Sequence, residues 1–278
     1  MGDGDTKPAT SAWVDPPGRY RSPMPDAPVD PLVVLGALTR AADAIEAALA
    51  ATVDWGETGD LAGQHFSDLA ADAAALDVLG AAGYGVLSEE SGRSFPERGV
   101  TVVVDPLDGS TNAARRMGWW ATSLCAVDAE GPLVSVVTDL RHSVRYLAVR
   151  GQGATRDGNP ARPSGCDTLS EAIIGINGVP AGHGGWAQYR AFGAAALDLC
   201  AVADGTLDGY LDCTTDELGV WDYLGALLVC QEAGVPVVDA AGRSLLTLEH
   251  GDRRTPVAGA TPALTAALVS LHPVHGDG

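Results

Sequence analysis

Of 278 residues, 36 are acidic and 17 basic, a formal charge of −19, and 46% are apolar. That content supports a full hydrophobic core without disulfides, as one large domain or two packed halves at ~150 residues per domain. The charge speaks against binders of nucleic acid or of anionic membranes, which need a basic face. The single lysine, Lys7, lies in a polar stretch. Positive charge for an anionic substrate must therefore come from elsewhere, and bound metal is the obvious source.

Met1 to Asp30 is rich in Pro, Gly and Asp, reads as a disordered extension, and lacks the apolar stretch of a signal peptide. No run approaches the ~20 apolar residues of a membrane span, so a soluble, cytoplasmic protein with no membrane partner is expected. Asp30 supplies an N-cap and Pro31 the first helical position; Leu35, Leu38, Ala42, Ile45 and Leu49 then predict a helix to about Ala51. A polar loop over 52–64 precedes a second helix from near Ser67, with Leu69, Ala73, Leu76 and Leu79, ending at Gly83. Strands are expected at Val86-Leu87, Val100 to Val104, Ala121 to Val127, Leu133 to Asp139 and Val144 to Val149, with a further hairpin turning at Asp157-Gly158. Beyond Pro160 the pattern alternates: strand 172–176, helix 194–203, strand 209–212, helix 223–233, strand 235–238. The working division is an extension (1–30), two halves (31–160 and 161–270) and a tail (271–278). The five cysteines, Cys125, Cys166, Cys200, Cys213 and Cys230, are scattered and form no CxxC pair, which fits reduced thiols in or near the core.

The richest chemistry lies in Asp105-Pro-Leu-Asp108-Gly-Ser-Thr-Asn112, where an apolar strand ends in two carboxylates. Pro106 turns the chain, so both acids can enter one volume. Close carboxylates repel, and a hard divalent ion is the simplest remedy. Gly109, Ser110 and Thr111 can open a helix whose free N–H groups would seat a phosphate. An Asp-Gly turn with a helix cap explains the same residues without function. Glu89-Glu90 follows a short strand, a favoured ligand position in α/β layers, although paired acids there are often only solvated surface. Asp68 lies on the second helix, where a lone Asp is usually surface or cap. Asp222, after Trp221, reads as the N-cap of the 223–233 helix.

Competing chemistries lack their motifs. There is no GxxxxGK[ST] loop, no GxSxG elbow and no HExxH, and Arg156 stands where a dinucleotide fingerprint starting at Gly151 needs glycine.

Taken in order, Glu89-Glu90, the Asp105 to Asn112 segment, Gly151-Gln-Gly-Ala154 and Trp221-Asp222 with Glu232-Ala-Gly234 resemble the inositol monophosphatase family of metal-dependent, lithium-sensitive phosphatases. The resemblance covers about residues 32–265. It implies an α/β protein with the αβαβα five-layer sandwich of the sugar-phosphatase type, its site between the halves, and a homodimer. It implies two or three Mg2+ ions held by Glu89, Asp105, Asp108 and Asp222, the Leu107 carbonyl, and Asp68 at a weaker third site. Asp68 and Glu89 would polarise water and Ser110 orient it, with Gly109, Ser110 and Thr111 seating the phosphate and Asp108 and Asp222 beside the substrate. Phe192-Gly193-Ala194-Ala195 resembles the lining of a substrate-ring pocket, and Asp212 the acid that bonds a substrate hydroxyl. The implied activity is hydrolysis of a small polyol or sugar phosphate, inositol monophosphate by default. Other family substrates are histidinol phosphate, fructose 1,6-bisphosphate, 3′-phosphoadenosine 5′-phosphate or a specialised-metabolite phosphate, the last favouring a basic pocket near Arg115 or Arg116. A catalytically weak sugar-phosphate-binding protein is the alternative of another class. Four departures stand out: the 52–64 loop has no lysine, Ser110 replaces the usual threonine, Ala113 follows Asn112 where an aromatic is common, and the stretch between Asp212 and Asp222 is longer than in animal members.

Overall fold

The computed structural model describes residues 29–59 and 64–272. The expected extension before residue 29, the tail after 272 and part of the 52–64 loop lie outside them. Helix α1 spans Pro31–Ala51, and the Asp30 carboxylate accepts the Leu32 N–H at 2.9 Å, the expected cap. Helix α2 spans Phe66–Ala81. Then follow β1 (Gly85–Ser88), β2 (Gly92–Ser94), β3 (Thr101–Asp108), the short α3 (Ser110–Ala114), β4 (Ala121–Asp128), β5 (Gly131–Asp139), β6 (Val144–Val149), β7 (Gly153–Arg156) and β8 (Asn159–Pro160). The remainder holds β9 (Ile173–Asn177), β10 (Gln188–Arg190), α4 (Ala195–Ala203), β11 (Gly209–Asp212), α5 (Val220–Ala233), β12 (Val237–Asp239), β13 (Pro256–Gly259) and α6 (Pro262–Ser270).

Strands β1 to β8 form one sheet in the order β2-β1-β3-β4-β5-β6-β7-β8, and the other five form a second in the order β10-β9-β11-β13-β12. In the first sheet only β1 and β3 run parallel; the rest is an antiparallel meander. Alternation along β3 shows why helices cover both faces of the sheet. Val102 and Val104 pack with α1 and α2, whereas Val103 packs with α4 and α5. Helices α4 and α5 lie between the two sheets, and α6 covers the outer face of the second. The layers are therefore α1/α2, sheet, α4/α5, sheet, α6, the five-layer α/β arrangement.

Two contacts lock α5 to the first sheet. Gly225 lets the helix approach so closely that a Cβ would collide with the Ser123 side chain, and its carbonyl accepts the Ser135 hydroxyl at 2.7 Å. At the far end, the Glu232 carboxylate accepts the N–H groups of Gly151 and Gly153, each at 2.8 Å. The 157–158 turn has positive φ at both residues, 48° and 76°, as a tight hairpin requires.

Strand β3 differs from expectation. It does not end at Asp105 but runs through Pro106 to Asp108, with a register irregularity between the two acids. Among the described residues all five cysteines are free thiols, three buried and two half-buried. No helix among them is long and apolar enough to cross a membrane.

Candidate active site

The start of α2, the exits of β1 and β3, and the start of α5 surround a cavity of about 370 Å3. Glu89 enters it from the exit of β1, where its N–H donates to the Val104 carbonyl at 3.1 Å. Asp105 and Asp108 both border the cavity, although residues three apart on a regular strand face opposite ways. The β3 irregularity between them breaks that alternation, the role expected of a proline turn.

Asp222 is not the N-cap of α5. The cap is Gly219, and Asp222 is the third helical residue, its Oδ2 accepting the Gly219 N–H at 2.6 Å. The helix starts three residues earlier than periodicity suggested because this return bond satisfies a free terminal donor. One carboxylate oxygen from each of Glu89, Asp105 and Asp222 lies within 4.8 Å of the others. Asp105 Oδ1 accepts the Leu107 N–H at 3.0 Å, while its Oδ2 is buried without a hydrogen-bond partner.

Three chain-distant carboxylates in one buried volume perturb each other. Burial is the largest cause in each case. It pushes Glu89 up to about 8, helped by Asp222, Glu90 and Asp68. Asp222 rises to about 8 through burial and Asp108, against the Gly219 amide and Arg253. Asp108 rises to about 7 even though amides at the start of α4 oppose the shift. Asp105 lies well above its ordinary value from burial, then Glu89, Asp108 and Asp222. Such a set favours either protons or a cation, and its donors are all oxygen, the preference of hard divalent ions.

Asp68 and Asp108 border the cavity without joining the three-carboxylate group. Asp68 is only 3% exposed and closes the start of α2 by accepting the His65 N–H at 2.7 Å; burial raises its pKa against that bond. Asp108 Oδ2 accepts the Ala196 N–H at 2.8 Å, tying the site to α4.

Gly109 turns the chain at φ 82°, where a Cβ would lie 3.1 Å from the Trp119 carbonyl and 3.2 Å from Ala194 Cβ, so glycine is required twice over. Asn112 Nδ2 donates to the carbonyls of Trp119 at 2.8 Å and Phe192 at 2.7 Å, pinning the motif to the 192–195 segment. Leu107, Gly109 and Ser110 line the cavity. Thr111 is exposed and does not line it, Gly193 and the buried Ala194 brace Gly109 from behind, and the buried Ala195 opens α4 outside the cavity lining. Asp212 also stands apart. Its Oδ1 accepts from Asn177 Nδ2 and from Thr214 N and Oγ1, its Oδ2 is buried without a partner, and burial raises its pKa.

The rim adds residues that local sequence does not reveal. Gln64 Nε2 donates to Glu90. The His250 ring lies 4.6 Å from Trp221 and its Nε2 is 3.1 Å from the Glu89 carbonyl. The Arg253 guanidinium sits 5.1 Å over the Trp221 ring. His250 and Arg253 belong to a loop before β13 with no motif of its own, so only the folded chain brings them here.

A family model described as the inositol monophosphatase family matches residues 67–273. The Nus factor SuhB of Escherichia coli strain K12 is 34% identical over 195 residues, 63% of this chain and 71% of that protein. A fructose-1,6-bisphosphatase/inositol-1-monophosphatase of Archaeoglobus fulgidus is 33% identical over 184 residues, 64% of this chain and 71% of that protein. Among solved structures, an inositol monophosphatase from Anabaena (Nostoc) sp. PCC 7120 superposes with a TM-score of 0.72 at 26% identity, covering 87% of this chain and 98% of that one.

Proposed function

The chain belongs to the inositol monophosphatase family and is a phosphoric monoester hydrolase, and from that premise we propose that it hydrolyses a small polyol or sugar phosphate, first inositol monophosphate, with magnesium in the acidic cavity. The observation that carries this reading is the partnerless Asp105 Oδ2, buried within a group of oxygens from Glu89 and Asp222. Glu89, Asp105 and Asp222 would hold one ion, with Asp108 and the Leu107 carbonyl as further donors and Asp68 at a third, weaker site. When bound, such ions neutralise phosphate charge and lower the pKa of coordinated water.

The chain's own groups supply the rest. Gly109 and Ser110, which line the cavity, seat the phosphate, and the Ser110 hydroxyl with Glu89 and Asp68 orients water for in-line attack. Asp108 keeps its geometry through the Ala196 amide. Asp222 stands beside the departing alkoxide, whereas Asp212, Gly193, Ala194 and Ala195 do not line the cavity and take no part in this reading. Phosphomonoester hydrolysis needs acceleration up to ~10²¹, which favours concentrated charge over a single proton transfer. The same reading takes the chain as a cytoplasmic homodimer. Its division into halves 31–160 and 161–270 is supported by the confinement of β1–β8 to the first range and β9–β13 to the second.

The test is phosphate release from inositol 1-phosphate and a sugar-phosphate panel with magnesium and after chelation. Turnover that needs the ion and prefers inositol 1-phosphate is expected. No release from any substrate defeats the reading, and preference for another ester corrects the substrate.

A further inference from the structure

A second cavity, of about 630 Å3, lies across α3 from the acidic one. Ser110 opens α3 into the acidic cavity, whereas Ala113 and Ala114 at its other end line the second. At 1.5 Å per residue the two sites are separated by only ~6 Å of helix. Their chemistry is opposite. Among the described residues no acidic one lines the second cavity; its polar groups include Arg116 and Arg141, and its walls include Trp55 and Trp120.

Each of these side chains is positioned by its backbone. Arg116 leaves α3 at φ 59°, a left-handed conformation costly for a residue with a Cβ. Arg141 sits in the β5–β6 turn, where its N–H donates to Asp139 Oδ1 at 2.9 Å. That carboxylate also takes the N–H and Nδ1 of His142, so the turn consumes it. Among the described residues neither guanidinium makes a hydrogen bond or ion pair. Trp55 is fixed by donating Nε1 to the Thr52 carbonyl at 3.1 Å, and it meets Trp120 edge to face with centroids 6.1 Å apart. The Trp120 carbonyl in turn accepts the Leu140 N–H at 3.2 Å, holding Trp120 beside Arg141.

We infer that this cavity is a binding site for a flat-ringed organic anion, its ring lodged against Trp55 and Trp120 and its charge met by Arg116 and Arg141. Guanidinium forks match carboxylate and phosphate geometry, indoles offer flat apolar faces, and the volume lies in the range of small-molecule sites. Two partnerless cations in a chain of charge −19 supply the charge complementarity that selects an anion. The site is distinct from the proposed catalytic one and does not depend on its substrate.

The test is calorimetric titration of the metal-free protein with 2-naphthoate, which carries no phosphate ester. Saturable one-to-one binding with a Kd below about 1 mM is expected. The flexible-ring control cyclohexanecarboxylate should bind at least tenfold more weakly. Arg116→Ala/Arg141→Ala should lose at least tenfold, and the milder Arg141→Gln should lose part of that; both arginines are exposed, so the fold is retained. Asp105→Asn should bind as the parent does. The inference is overturned if the parent fails to saturate, if the double variant binds unchanged, or if Asp105→Asn abolishes binding. A parent dimer that dissociates in the double variant, read by sedimentation, would also overturn it by assigning the face to a second copy of the chain.

Discussion

Asp105 and Asp239 are both buried aspartates on strands, 1% and 2% exposed, and they meet burial in opposite ways. Asp239 ends β12 with Arg243 Nε at 2.8 Å, Arg243 Nη2 at 2.9 Å and the Thr255 N–H at 2.9 Å. Burial pushes its pKa up, but those donors outweigh it and hold the carboxyl below the ordinary range. Asp105 has one amide donor and three acidic neighbours, so burial and repulsion act together. Burial alone therefore does not mark a functional acid. A buried carboxylate whose donors lie within the chain is structural, and one surrounded by its own kind is built for a cation from outside.

The strongest challenge to this contrast is substitution at both positions. Asp105→Asn should lower kcat by about 10³-fold or more with the circular dichroism unchanged; parent-like turnover would remove Asp105 from the site. Next, Ser110→Ala should lower kcat about 10²-fold with KM little changed, the signature of a hydroxyl that orients water.

The pH dependence of stability should differ in sign between the two regions. In the pocket the folded pKa values are raised, so between about pH 4 and 8 the native state holds more protons than the unfolded one. Metal-free protein should lose stability as pH rises through that window. Magnesium at about 100 times its Kd should restore ~2.7 kcal/mol, read as a thermal midpoint raised by several degrees with a flattened pH slope. Asp239, with its lowered pKa, contributes stability that is present above its unfolded value and lost only as pH falls through the folded one. Asp239→Asn should cost ~2 kcal/mol, because it leaves a half-exposed Arg243 without its main acceptor, while turnover per folded molecule stays near the parent's. The smallest effect is expected at Glu232→Gln, where weaker acceptance of two backbone N–H groups should cost ~1 kcal/mol in a denaturant melt with activity intact.

Much of this was legible beforehand because it is local. The Asp30-Pro31 start of α1, the meander from Ala121 to Val149 and the Asp157-Gly158 turn are each set by residues within a few positions of one another. So is the presence of two acids, a glycine and two hydroxyls in the 105–111 segment. Asp222 shows where local reading stops. A carboxylate before a helical run suits a cap, but Gly219 caps α5 and Asp222 bonds back to it from the third position.

Sequence reading placed acids, turns and amphipathic faces because each depends on periodicity or on the conformational preference of one or two residues. Strands β2, β10 and β13 are three or four residues long, too short for a period, and exist because neighbouring strands supply their hydrogen bonds. Tertiary structure alone joined Glu89, Asp105 and Asp222, set His250 and Arg253 against Trp221, and opened an arginine-lined cavity behind the phosphate motif. Those arrangements join positions up to about 160 residues apart, and no local preference acts over such a span; only packing the helices against the two sheets brings them into contact.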